Sequence, residues 1–179
     1  MKNLFERAAK IRLVIFDVDG VLTDGHLFVG DDGQEYKAFH ARDGLGMTML
    51  QASGVILGII TGRTSKVVTH RMHLLGIQHV FQGQVDKLPA FQTLCQQLQF
   101  NPEQVAYVGD DVIDVPILKE AGLAIAVADA NELILPYIHW QTRLPGGRGA
   151  AREVCELIMK AQGTLAKQLQ RYGISPGVT

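Results

Sequence analysis

Leu13-Val14-Ile15-Phe16-Asp17-Val18-Asp19-Gly20 begins with four large apolar residues and breaks abruptly into two acids and a glycine. The unbroken apolar run predicts a strand covered on both faces, as in a parallel sheet. Side chains alternate along extended chain, so Asp17 and Asp19 face the same way just past the strand's end. Open parallel sheets bind ligands at the carboxyl ends of their strands. The chemistry is therefore expected there.

The same pattern recurs outward from this stretch. Val55 to Ile60 runs into Thr61-Gly62-Arg63, His79 to Phe81 shortly precedes Lys87, and Val105 to Val108 runs into Gly109-Asp110-Asp111 with Asp114 beyond. Helices are predicted between the strands: Gly44 to Ala52, closed by Gly54; from a Thr64 or Ser65 cap to Leu75, closed by Gly76; Leu88 to Leu98; and Val115 to Ala121. Leu123 to Val127 reads as a further strand, Glu132 to Ile138 as a short helix, and Ala150 to Gln162 as the last helix. Leu27-Phe28-Val29 and Glu35 to His40 flank Gly30-Asp31-Asp32-Gly33, the signature of a β-hairpin. The fold class is α/β, a doubly wound Rossmann-like parallel sheet with a hairpin insertion after the first strand and no cap domain. Residues 1–163 are expected to form one domain and 164–179 a C-terminal tail, with Gly173, Pro176 and Gly177 in it.

Composition bounds the function. A chain of 179 residues, 47% hydrophobic and 20% charged, suffices for one domain with a full core. A formal net charge of −1 with scattered Lys and Arg argues against nucleic acid and anionic membrane as partners. Cys95 and Cys155 fall in helical segments and read as buried reduced thiols. No apolar run reaches the roughly 18 residues of a membrane span. Met1 to Lys10 lacks the apolar stretch of a signal peptide, so a cytoplasmic setting is expected.

The strand-end residues supply the parts of a phosphoryl-transfer site. Asp17 is placed to attack phosphorus and carry an aspartyl-phosphate. Asp19 is placed to give a proton to the departing alkoxide and later take one from water. Gly20 permits a sharp turn and close approach to a phosphate. Two carboxylates about 4 Å apart repel by about 4 kcal/mol at an effective dielectric near 20. A divalent cation removes that repulsion, and an all-oxygen site suits Mg2+, with Asp17 and Asp110 as side-chain ligands. Asp111 is a ligand or a supporting residue, and Asp114 an orienter of the loop; either alone can equally be a helix cap. The Thr61 hydroxyl and Lys87 can bind the phosphoryl oxygens. Taken singly, each of these residues has an ordinary structural explanation. Four elements in this order, each at a strand end, point to catalysis.

Asp17-Val18-Asp19-Gly20, Thr61, Lys87 and Gly109-Asp110-Asp111 resemble the four motifs of the haloacid dehalogenase superfamily. The second aspartate implies a phosphatase over a dehalogenase, and the resemblance implies that Asp19 also ligates magnesium through its carbonyl. Val18 to Gly25, Phe39 to Met47 and Gly146 to Glu153 resemble, more narrowly, the 3-deoxy-D-manno-octulosonate 8-phosphate phosphatase family, which acts in lipopolysaccharide inner-core synthesis. That likeness implies substrate contacts from Asp19, His40, Ala41, Arg42, Asp43, Gly44, Arg63, Arg71 and Lys87. It also implies a homotetramer assembled through hairpins from Gly25 to Phe39. About 26 residues separate Asp17 from Asp43, too few for a lid domain, so closure of the site by neighbouring subunits fits the sequence. Arg63 and Arg71 are suited to clamping a sugar-acid carboxylate. Arg148, in its glycine-rich loop, reads as a substrate contact in either subunit or as part of a flexible helix start.

Three other readings share parts of this pattern. A phosphorylated signalling receiver places its acidic pair first and its lysine last, the reverse of this order. A non-catalytic oligomerisation module would not need the full set of catalytic residues. A nine-carbon keto-deoxy sugar phosphate presents the same carboxylate and phosphate ends as an eight-carbon one, and one or two side chains would decide between them.

Overall fold

The computed structural model describes residues 2–175; Pro176 and Gly177 of the tail lie outside the described residues. After helix α1 (Lys2–Ala9), strand β1 (Leu13–Phe16) runs through the centre of the sheet with every residue buried. The hairpin strands β2 (Phe28–Val29) and β3 (Glu35–Tyr36) follow, then α2 (Ala41–Ala52), β4 (Ile56–Ile60), α3 (Lys66–Leu74), β5 (His79–Phe81) and α4 (Leu88–Leu98). The second half contains β6 (Val105–Gly109), α5 (Val115–Glu120), β7 (Leu123–Ala126), β8 (Trp140–Gln141), α6 (Ala150–Ala161) and α7 (Leu165–Gln170). Six strands form one parallel sheet in the order β5-β4-β1-β6-β7-β8. Phe16 lies opposite Ile59 on one side and Val108 on the other.

Strand alternation divides the core between the two faces. Val14 and Phe16 pack with Met47 and Leu50 of α2, Met72 of α3, and Val154 and Ile158 of α6. Leu13 and Ile15 point the other way, into Phe91 and Leu94 of α4 and Ile117 and Leu118 of α5. This is the doubly wound arrangement expected from continuous apolar strands. Cys95 and Cys155 are free and buried, as their positions implied. No helix among the described residues is long and apolar enough to cross a membrane.

Four features differ from the sequence reading. Helix α2 begins at Ala41, three residues before Gly44, because the added residues Ala41, Arg42 and Asp43 lack the apolar spacing that marks the rest. The segment after Asn131 is a 3-10 helix, Glu132–Tyr137, with Pro136 inside it. Strand β8 has only two residues, too few for a period to register. The tail contributes α7, whose Leu165 and Gln168 are buried and whose start is tied down by the Thr164 N–H to Met159 carbonyl bond of 2.9 Å. The hairpin forms as expected, Phe28 opposite Tyr36, yet both residues are exposed, as are Leu27 and Val29.

Candidate active site

The chain steps outward from β1 to β4 and β5, then returns to lay β6 on the opposite side of β1. That reversal is the switch point at which doubly wound sheets bind ligands. Asp17 ends β1, Asp110 follows β6, Thr61 follows β4, and Lys87 precedes α4.

Lys87 is the hub. Its buried ammonium lies 2.8 Å from Asp17 Oδ2 and 2.7 Å from Asp114 Oδ1. Burial works against the charge, but the two carboxylates outweigh it and raise the lysine pKa. Asp114 is fully buried and heavily engaged: Oδ1 also accepts from the Tyr107 hydroxyl at 2.5 Å, and Oδ2 from the N–H groups of Asp110 and Asp111 at 2.9 and 3.2 Å. It therefore fixes the loop and has little capacity left for a metal. Asp111 caps the following 3-10 turn through the Val112 N–H, and its carboxylate also accepts from Asn131.

Asp17, Asp110 and Asp114 each place a carboxylate oxygen within 4.8 Å of the others. Burial, followed by the charges of Asp17 and Asp114, pushes the Asp110 pKa up to about 8. Burial likewise raises Asp17 to about 6, with Lys87 pulling against it. One ammonium is too little countercharge for three acids. Among the described residues the Asp110 carboxylate accepts no hydrogen bond, so it and Asp17 can offer oxygens to a divalent cation. Oxygen donors of this kind fit magnesium. Gly20 has φ +91°, and a Cβ there would lie 2.1 Å from Asp110 Oδ2, so only glycine lets the loop after β1 approach this acid.

Thr61 is buried, held by its N–H to Phe81 and by its carbonyl, which accepts from Gln84. Asp19 stands apart from the carboxylate trio, against the hairpin. Its carboxylate bonds the Lys37 ammonium and lies 4.0 Å from Arg63 Nε. Lys37 and Arg63 both also pair with Glu35, at 3.1 and 3.2 Å. The sequence reading missed Glu35, Lys37 and Tyr107. Lys37 and Glu35 had one legible signal, a spacing of two at the end of a strand.

His40, Gly44 and Arg71 form a second group with Phe39, lining a cavity of about 10 Å3 between α2 and α3. Among the described residues His40 Nδ1 and Arg71 Nε have no hydrogen-bond partner although buried, and Arg71 stacks 5.8 Å over the Phe39 ring. A Cβ on Gly44 would lie 2.4 Å from Arg71 Nη2. Ala41 and Arg42 are exposed on the first turn of α2. The Asp43 side chain also borders the cavity, but its carboxylate turns to α6: its oxygens accept from the Gly149 and Arg152 N–H groups at 3.2 and 2.8 Å. That makes it the N-terminal anchor of α6, a task its place in the substrate set did not anticipate. Arg148 pairs with Asp24 at 2.9 Å. Its loop sits hard on the β1 loop: the Gly147 N–H donates to the Val21 carbonyl at 2.9 Å, and a Cβ on Gly146 would lie 1.6 Å from the Gly20 carbonyl oxygen.

Comparison with known proteins agrees with this geometry. Residues 73–152 match the family model for haloacid dehalogenase-like hydrolases. The chain is 53% identical over 163 residues to the 3-deoxy-D-manno-octulosonate 8-phosphate phosphatase KdsC of Yersinia pestis, covering 91% of this chain and 87% of that one. It is 50% identical, with the same coverage, to the KdsC of Escherichia coli K12. A Moraxella catarrhalis 3-deoxy-D-manno-octulosonate 8-phosphate phosphatase, solved in complex with magnesium, phosphate and KDO, superimposes with a TM-score of 0.94 at 42% identity, covering 96% of this chain and 99% of that one.

Proposed function

The chain belongs to the 3-deoxy-D-manno-octulosonate 8-phosphate phosphatase family of haloacid dehalogenase-like hydrolases, and we propose that it releases inorganic phosphate from that sugar-acid phosphate. It is a phosphoric monoester hydrolase of lipopolysaccharide inner-core synthesis. The observation that carries the mechanism is the Lys87 ammonium bridging Asp17 and Asp114 at the sheet's switch point, beside an Asp110 carboxylate left without a partner among the described residues.

In this reading Asp17 attacks phosphorus, the ester bond breaks, and the departing sugar oxygen takes a proton from Asp19. Asp19 then accepts a proton from water as the water oxygen bonds to phosphorus and Asp17 is released. Lys87 holds Asp17 in line and offsets its charge, while Thr61 and the N–H groups of its loop receive phosphoryl oxygens. The Asp17 and Asp110 side chains and the Asp19 carbonyl would hold magnesium, which when bound supplies the positive charge that the three carboxylates and the phosphoryl group lack. Arg63, Arg71 and the segment His40 to Gly44 would bind the sugar acid, with Arg63 the member already joined to Asp19.

We further propose a homotetramer acting in the cytoplasm. Leu27, Phe28, Val29 and Tyr36 are exposed by 49, 55, 62 and 58%, a run of apolar surface that a two-stranded ribbon cannot bury by itself and that hairpins of neighbouring subunits would cover.

A panel of phosphorylated keto-deoxy sugar acids tests the assignment. The eight-carbon ester should give the highest kcat/KM, with turnover abolished by chelator and by Asp17→Asn. Turnover that survives Asp17→Asn would sink the aspartyl-phosphate route, and preference for a nine-carbon ester would move the substrate.

A further inference from the structure

The Lys37 side chain is 1% exposed, whereas Asp19, which it touches, retains 19%. Lysine is seldom buried so deeply unless its charge is matched, because an unmatched buried ammonium loses its hydration with nothing in return. Here it is matched twice, by Asp19 Oδ1 and by Glu35 Oε1. The sequence accounts for the placement. Residues two apart on extended chain share a face, so β3 directs Glu35, and Lys37 one step past its end, toward the β1 loop. Tyr36 between them faces away and is 58% exposed. Arg63 completes the set from the loop after β4, pairing with Glu35 and approaching Asp19. The four charges alternate in sign around Asp19, and Lys37 is their most deeply buried member.

We propose that Lys37 is a positioning residue for Asp19, orienting the carboxylate for the half-reaction that frees phosphate from the enzyme; this rests on the phosphatase reading above. In that half-reaction the water oxygen bonds to phosphorus, the bond from phosphorus to the Asp17 oxygen breaks, and the water's proton passes to Asp19. Lys37 touches none of the reacting atoms. It restricts the rotation of the side chain that does, and loss of such orientation slows a step without abolishing it. It also ties proton transfer to the hairpin, whose two strands form a sheet separate from the main one.

Dinitrophenyl phosphate, whose leaving group departs without needing a proton, separates the two halves when mixed rapidly with the magnesium-loaded enzyme. Lys37→Met is expected to release a burst approaching one phenolate per site at the wild-type rate, followed by turnover about tenfold slower, a fraction of what a general base contributes. Acid-quenched protein should then carry a phosphoryl group on Asp17 by mass spectrometry. Asp19→Asn should show the same burst with slower turnover still, and adding Lys37→Met to it should slow turnover no further. Parallel loss of burst rate and turnover in Lys37→Met overturns the proposal, as does a double variant slowed by the product of the two single losses. If Lys37→Met does not fold, Lys37→Gln is carried through the same comparison. Wild-type protein that never becomes phosphorylated on Asp17 defeats the phosphatase reading itself.

Discussion

Replacing Asp110 by asparagine is expected to make the metal-free protein more stable while removing most of what magnesium adds. Asp110 is crowded against Asp17 and Asp114, and burial plus those two charges keeps it protonated up to about 8, against 3.8 in the ordinary case. A carboxyl with a raised folded pKa contributes stability that is fully present below 3.8 and is lost as the pH climbs toward 8. Over the roughly three pH units from 3.8 to 7, at about 1.36 kcal/mol per unit, the loss reaches about 4 kcal/mol. Asp110 keeps partial contact with water, which screens its charge, so about 2 kcal/mol is the expected gain from asparagine. For a chain of this size that is a rise in Tm of roughly 4–8 °C. Thermal melts in EDTA from pH 5 to 9 measure it. Wild type should lose stability steadily up to pH 8, and the variant should lose it chiefly below pH 6, where Asp17 gives up its proton. Millimolar magnesium should then raise the wild-type Tm well above that of the variant. An Asp110→Asn protein that melts below wild type in EDTA, or a wild-type Tm flat from pH 5 to 8, refutes the reasoning.

Lys87→Met should cost about 3–5 kcal/mol, because it leaves Asp17 and Asp114 unpaired in the interior; chemical denaturation at pH 7 reads this. With Lys87 present, its raised pKa implies stability held below 10.5 and lost only above it, which an alkaline melt series checks. Gly20→Ala forces a Cβ onto Asp110 Oδ2 and strains a φ of +91°, so magnesium affinity by calorimetry should fall at least tenfold; unchanged affinity would mean the loop yields. Asp43→Ala frees two N–H groups at the start of α6 and should cost about 2 kcal/mol. Loss confined to KM, with an unchanged Tm, would instead show that Asp43 serves substrate binding alone.

The parallel sheet was legible because its strands are buried on both faces, which leaves runs such as Leu13 to Phe16 without polar interruption. The cluster was legible because Asp17, Thr61 and Asp110 directly follow strands, and Lys87 and Asp114 lie a few residues beyond one, so sequence position tracks spatial position. What escaped was set by tertiary contact. Tyr107 lies inside an apolar strand and reads as core, although its hydroxyl meets Asp114. Lys37 reads as a surface lysine until the hairpin folds over Asp19. Asp43 reads as part of a loop motif, since nothing nearby in sequence announces that residues 149 and 152 will need its carboxylate. Helix α7 depends on a few buried contacts, too sparse to form a pattern.

The seating of Gly146 and Gly147 on the loop that carries Asp19 and Gly20 has a consequence for biogenesis. Residues near position 20 are translated more than a hundred residues ahead of the segment that braces them. A nascent chain stalled before Gly146 would expose its acidic loop without that brace, and turnover would have to await synthesis of the glycine-rich loop. Two distant stretches of the message are thus read jointly at one spot, and a product that stops short of Gly146 should be inert even with every acid of the cluster in place.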